Sequence, residues 1–146
     1  MLRGNALAKL DDKGRLKLPT SFRSVIEPKY GNEFYVTSIR GDCARIYPMQ
    51  VYVRLEKQLL ESSSVEPAVT KLRHNLNYFG QSINMDSQGR ILIHPLLRER
   101  AGMDGEVAVL GQQEFLEIWN HRTFETRLKN DPLTDDELQT LATLGF

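Results

Sequence analysis

Two short segments, LDDKGRLKLP at 10–19 and MDSQGRILIHP at 85–95, carry an aspartate, a glycine and an arginine at one spacing: Asp11, Gly14 and Arg15, then Asp86, Gly89 and Arg90. Such a set supports two kinds of chemistry. A carboxylate three residues ahead of a glycine can accept hydrogen bonds from the N–H groups of a turn, and glycine takes positive φ at little steric cost. An arginine directly after that glycine offers a planar fork that can grip a phosphate or a guanine edge bidentately, or fold back onto the aspartate as a brace. Residue types alone leave both roles open for Arg15 and for Arg90, together with a mixed one in which the aspartate orients the arginine that touches nucleic acid.

The elements that must position these residues are legible on either side. ALAKL and RLKL flank the first motif, SINM and RILI the second, and the alternation of Leu16 and Leu18 with Arg15 and Lys17 predicts strands with one face inward. Each motif therefore reads as a β-hairpin turn. Pro19 and Pro95 then lead into TSFRSVI and LLRERAG, short helices begun by proline in its tolerated first turn. A second strand pair follows in each half, EFYVTSI with CARIY and EVAVLG with EFLEIW, and each is followed by a helix, PMQVYVRLEKQLLES or NHRTFETRLKN. An offset of 75 relates Asp11 to Asp86, Gly14 to Gly89, Arg15 to Arg90, Leu18 to Ile93 and Arg23 to Arg98. A second D-x-x-G-R has a chance probability of only about a few per cent in such a chain, and the matching flanks reinforce the half-chain repeat.

The expected organisation is a first repeat over 1–52, linker helices over 53–80, a second repeat over 81–124 and a helical tail over 125–146. Serines 62 to 64 read as a polar linker, EPAVTKLRHNLNYF as a helix, and Thr134 with Glu137 as the capping box of a last helix bearing Leu138, Leu141 and Leu144. Each half alone, at about 45 residues of short strands, is too small to bury a sufficient core. Two halves packed around a pseudo-two-fold axis would share one, and would present two equivalent turns.

Charge points to the partner. The 146-residue chain has zero formal net charge, so it is no general polycation. Residues 1–23 nonetheless hold Arg3, Lys9, Lys13, Arg15, Lys17 and Arg23 against Asp11 and Asp12. A solvated strand face explains such a bias as readily as an anionic partner does. Lys13 has Gln88 as its counterpart, so the first turn is expected to lead any contact with DNA, with Arg3, Lys9 and Lys17 adding phosphate contacts that position without specifying. Arg23 and Arg98 read as ion-pair donors, the former toward Glu27.

MLRGNALAKLDDKGRLKLPTSFR together with MDSQGRILIHPLLRERAGMDGEVAVLGQQEFLEIWN resembles the bacterial MraZ family, within the AbrB/SpoVT group of swapped-hairpin DNA-binding proteins. The likeness covers nearly the whole chain, and Leu2 stands where the family usually has Phe. It implies an α+β fold of two pseudo-symmetric swapped-hairpin halves forming one small barrel with flanking helices. It also implies a transcriptional regulator of the division and cell-wall gene cluster, binding short direct repeats in double-stranded promoter DNA as a ring of protomers. The group's antitoxins offer an alternative, action through protein partners, as does a purely scaffolding ring.

Other chemistry finds little footing. His74, His94, His121 and the single Cys43 lack metal-ligand spacing, so no metal and no cofactor is expected. Neither a phosphate-binding glycine loop nor a G-x-S-x-G elbow is present, and Asp11 with Asp12 at a wet turn would gain no useful pKa shift. An enzyme is not expected. With no run near the roughly 18 apolar residues of a membrane span and no signal-like N-terminus, the expectation is a cytoplasmic, nucleoid-associated protein away from membranes.

Overall fold

The structure is a computed structural model that describes residues 1–62 and 65–146. The polar linker expected at 62–64 therefore lies mostly outside the described residues. The first half runs β1 (Asn5–Lys9), β2 (Arg15–Lys17), α1 (Thr20–Tyr30), β3 (Glu33–Thr37), β4 (Ala44–Pro48) and α2 (Met49–Leu60). After α3 (Pro67–Tyr78) the same order returns as β5 (Gln81–Asn84), β6 (Arg90–Leu92), α4 (Pro95–Arg100), β7 (Glu106–Gly111), β8 (Leu116–Asn120) and α5 (His121–Asn130), and α6 (Asp135–Ala142) follows. Both halves thus repeat one ββαββα unit, and the proline entries differ slightly: Pro95 opens α4 while Pro19 caps α1.

Strand pairing joins the halves more tightly than two local hairpins would. The turn after β1 is closed by Asp11 N–H to Arg15 O at 2.9 Å, yet β1 and β2 then part. β1 pairs with β7, β5 with β3, and β2 with β6, all antiparallel. The second pairs in each half, β3 with β4 and β7 with β8, form as the sequence indicates. The larger sheet has the order β1-β7-β8-β4-β3-β5, which reads identically from either end when the halves are exchanged. Its centre is the β4–β8 ladder, where Arg45 faces Glu117. The separate β2–β6 ribbon is centred on Leu16 opposite Ile91, two residues related by the offset of 75. Leu18 N–H donates to Gly89 O at 2.8 Å and Ile93 N–H to Gly14 O at 3.0 Å, so each strand end is tied to the other half's turn.

The expected closed barrel is not found. An open six-stranded sheet is lidded by the two-stranded ribbon, and among the described residues no ladder links the edge strands β1 and β5 to that ribbon. Burial gives the reason. A three-residue strand can offer the core a single central side chain, and Leu16 and Ile91 are both fully buried. They lie in one cluster with Phe34, Val36, Ile46, Val107, Leu116 and Ile118 from the sheet and Phe22, Ile26 and Leu97 from α1 and α4. Facing its counterpart from the other half lets each ribbon strand roof the sheet, and each such buried side chain contributes about 1.5–3 kcal/mol.

The linker helix α3 is anchored by hydrogen bonds. Thr37 Oγ1 and Tyr35 OH donate to Leu76 O at 2.8 and 3.0 Å, and Asn75 Nδ2 donates to Ile39 O at 2.7 Å. On α2, Val51 and Tyr52 are buried against Tyr47, and Tyr35 stacks on Tyr52 with ring centroids 4.0 Å apart. Among the described residues, no helix is long and apolar enough to cross a membrane.

Candidate nucleic-acid interface

The two turns are near copies in atomic detail. Asp11 Oδ1 accepts the N–H groups of Lys13 and Arg15 at 3.0 and 2.9 Å, and its Oδ2 accepts Arg15 Nε at 2.8 Å. Asp86 Oδ1 accepts those of Gln88 and Arg90, both at 2.9 Å, and its Oδ2 accepts Arg90 Nε at 2.7 Å. The brace is therefore present in both turns, and it uses only the Nε edge of each guanidinium. Among the described residues the terminal nitrogens of Arg15 and Arg90 have no partner, so one side chain can be held and still present a two-pronged donor edge.

These bonds also set the acid response of the turns. The Arg15 backbone N–H foremost, then its guanidinium and the Lys13 N–H, hold the Asp11 carboxyl below the ordinary 3.8 despite some desolvation. Asp86 is held low in the same way, foremost by the Arg90 N–H. A depressed carboxylate contributes stability that is present above its unfolded-state value and is lost as pH falls through its folded-state value. Carbon-detected NMR titration should find both carboxyls ionised below pH 3.8, with the Nε–H signals of Arg15 and Arg90 losing protection only as they protonate. Titration of either carboxyl above 3.8 would remove the brace from the account.

Strand register sets the display. Leu16 and Ile91 turn inward, so Arg15, Lys17, Arg90 and Leu92 share the outer face of the ribbon, with Arg15 opposite Leu92 and Lys17 opposite Arg90. Lys13 stands exposed at the tip of the first turn beside Asp12, and Gln88 with Ser87 occupies the second tip. Lys17 and Arg90 are like charges at opposite register positions, a repulsion that the Asp86 carboxylate on Arg90 partly offsets. Lys9 ends β1 in the larger sheet, opposite Glu106 of β7. Arg3 lies beyond the opposite end of β1 from Lys9, next to the isolated Leu2–Gln113 bridge.

Two residues with a part in this site were read too narrowly from sequence. Arg23 makes the anticipated ion pair with Glu27 at 3.0 Å, but its Nη2 also donates to Ser87 O at 3.3 Å and its guanidinium covers Gly89. Arg98 donates from Nε to Ile93 O at 2.9 Å and covers Gly14. Each short helix thus clamps the other half's turn. Both glycines have φ +79, which favours glycine, and a Cβ at either would push aside the covering arginine. The offset of 75 between Arg23 and Arg98 was the available signal.

The remaining reactive groups serve structure. Burial pushes the Cys43 thiol up to about 12, which leaves no thiolate for chemistry. His94 caps α4 by accepting the Leu96 N–H at Nδ1, and His121 sits between Glu106 at 2.8 Å and Glu125 at 3.2 Å. No group of three metal-ligating side chains occurs among the described residues.

Comparison with known proteins adds a second line of observation. Residues 1–75 and 80–142 match the family model described as "MraZ protein, putative antitoxin-like". The chain is 41% identical over 146 residues to the Transcriptional regulator MraZ of Acidobacterium capsulatum, with all of both chains covered. It is 44% identical over 147 residues to that of Koribacter versatilis, again at full coverage of both. With the protein of the same name from Syntrophobacter fumaroxidans it shares 36% identity over 132 residues, 88% of this chain and 85% of that one.

Proposed function

This chain belongs to the MraZ family, and on that premise we propose that it is a transcriptional regulator that binds promoter DNA through the outer face of its β2–β6 ribbon. The observation that carries the reading is the pair of braced arginines on one cationic face, each with its terminal donors unpartnered among the described residues, beside Lys13 and Lys17. Phosphate contacts from the lysines set position, and an arginine fork reads a base edge.

The face has a direction. Under the repeat, Lys13 corresponds to Gln88 and Lys17 to Leu92, so the pseudo-two-fold symmetry of the backbone is broken in charge. A directional face suits short direct repeats, met by successive protomers arranged head to tail in a closed ring. A single protomer makes only about four to six phosphate contacts, and ring geometry converts later contacts into intramolecular ones that raise avidity by orders of magnitude. Family membership supports placing the sites in the promoter of the division and cell-wall gene cluster and the protein on the nucleoid in the cytoplasm.

Selection of bound DNA from a random pool, followed by gel shift on the recovered box, tests this. The recovered sequences should contain one directional motif recurring in tandem. Affinity for a single box should fall roughly 10²- to 10³-fold between 50 and 200 mM salt, the loss that four to six phosphate contacts imply. Recovery of no motif, with assembly intact, would favour action through protein partners as an antitoxin-like or scaffold protein.

A further inference from the structure

The two turns are alike in backbone and in net charge, yet the arginines that clamp them are not equivalent. Residues 11–15 hold Asp11 and Asp12 against Lys13 and Arg15, and residues 86–90 hold Asp86 against Arg90, so each turn is neutral by itself. Over the second turn lies Arg23, whose Nε is ion-paired with Glu27 at 3.0 Å and whose Nη2 donates to Ser87 O at 3.3 Å. Over the first lies Arg98, whose Nε donates to Ile93 O at 2.9 Å. At the offset of 75 the counterpart of Glu27 is Gly102, which has no side chain to pair with. Among the described residues Arg98 makes no ion pair, and its two terminal nitrogens have no hydrogen-bond partner.

This unpaired charge sits at the turn that carries Lys13 and Arg15. A Cβ placed on Gly14 would overlap Arg98 at Cζ, Nε and Nη1, so the guanidinium itself lies on the glycine that precedes Arg15. Ile93 N–H donates to Gly14 O at 3.0 Å, which ties the residue that holds Arg98 to the same turn. The Arg98 side chain is partly exposed and lines a surface pocket with Glu99 and Asp104, neither of which is within ion-pair distance of it. Glu99 is its neighbour on α4, and adjacent helix residues do not share a face. The bond from Nε to Ile93 O holds the fork over the turn instead.

We propose that Arg98, from the second half of the chain, is a phosphate-binding residue of the first turn. With Nε occupied, the terminal edge of the guanidinium remains as a two-pronged donor matched to two phosphate oxygens. Arg98 reaches the turn from a helix, whereas Arg15 stands on the outer face of the ribbon, so the partner of Arg98 is the backbone of the DNA and that of Arg15 a base edge. The inference rests on the reading of the ribbon as the face that meets DNA. It also distinguishes the two turns, since one carries an unpaired cation and the other a neutralised pair.

Arginine footprinting of the unaltered protein tests it. Phenylglyoxal modifies the terminal nitrogens of guanidinium groups, and mass spectrometry locates the adducts. A short duplex bearing one recovered box should protect Arg15 and Arg98, while Arg73 on α3 reacts equally with and without DNA. Arg98→Ala should reduce the slope of log affinity against log salt by about one, and should weaken binding in equal proportion on the box and on boxes with substituted bases. Arg98→Lys should restore the slope, and Arg23→Ala should leave it unchanged. Equal modification of Arg98 with and without DNA, with Arg15 protected, overturns the contact and leaves the DNA-binding face standing; protection of neither overturns both. A folded Arg98→Ala protein that keeps the full slope also overturns the contact. Should that variant unfold, the footprint on the unaltered protein decides alone.

Discussion

Arg15→Ala should lower affinity for a single DNA box by roughly ten- to a hundred-fold, the loss expected when a bidentate contact worth about 1–3 kcal/mol disappears. Arg90→Ala should cost clearly less. The two arginines are held by equivalent braces, so the difference comes from their surroundings. Lys13 stands at the tip beside Arg15, where the second turn has the neutral Gln88. Binding measured by fluorescence anisotropy on one recovered box, with folding checked by circular dichroism, decides the point, and equal losses would reject the asymmetry. Asp11→Asn separates orientation from scaffolding. The amide keeps an acceptor for the turn but weakens the grip on Arg15 Nε, now at 2.8 Å. If the carboxylate aims the arginine, affinity per folded molecule falls; a loss of stability at unchanged affinity would leave the aspartate a purely structural part.

Leu16→Ala should destabilise the fold by about 2–5 kcal/mol, the range for deleting a fully buried leucine, and should lower Tm by on the order of 10 °C. Its site is the reason to expect the upper part of that range. Leu16 faces Ile91 across the centre of the ribbon, and both are fully buried. The resulting cavity opens between the halves, where neither half can collapse independently. Hydrogen exchange should show the Leu18 and Ile93 amides, which bond Gly89 and Gly14 of opposite halves, losing protection together. Leu7→Ala on β1, where the side chain is half exposed, should stay within about 0.5 kcal/mol. Comparable losses at both positions would remove the ribbon's special place in the core.

Sequence carried the periodic features well. The offset of 75, the strand segments, the helix faces and the capping box at Thr134 are all local patterns, and local patterns report which element forms. They do not report which partner a three-residue strand takes. The turn at Asp11–Arg15 satisfies every local rule for a hairpin, yet β2 leaves β1 for β6 because the burial of Leu16 against Ile91 is a fact about two segments far apart in the chain. The barrel expected from the family resemblance is not closed for the same reason, with the short ribbon lying over the sheet as a separate ladder.

The candidate site divides along the same line. Arg15, Lys13 and Lys17 were readable as neighbours because one turn holds them, whereas the approach of Arg90 to Lys17 depends on the exchanged register. Arg3 is close in number to the turn, but β1 stands between them and places it at the strand's other end, by the Leu2–Gln113 bridge. The i,i+4 pairing of Arg23 with Glu27 was visible, and its reach over Gly89 in the other half was not.

The exchange of strands within one polypeptide has a further consequence. Were the same interlock built from two identical chains, every substitution on one side of the axis would reappear on the other, and the display would be locked to a rotated copy of itself. Covalent joining of the two copies through α3 lifts that constraint. Either fingertip can change its chemistry alone, as Lys13 against Gln88 and Lys17 against Leu92 already show, while the shared interior keeps both in the same posture.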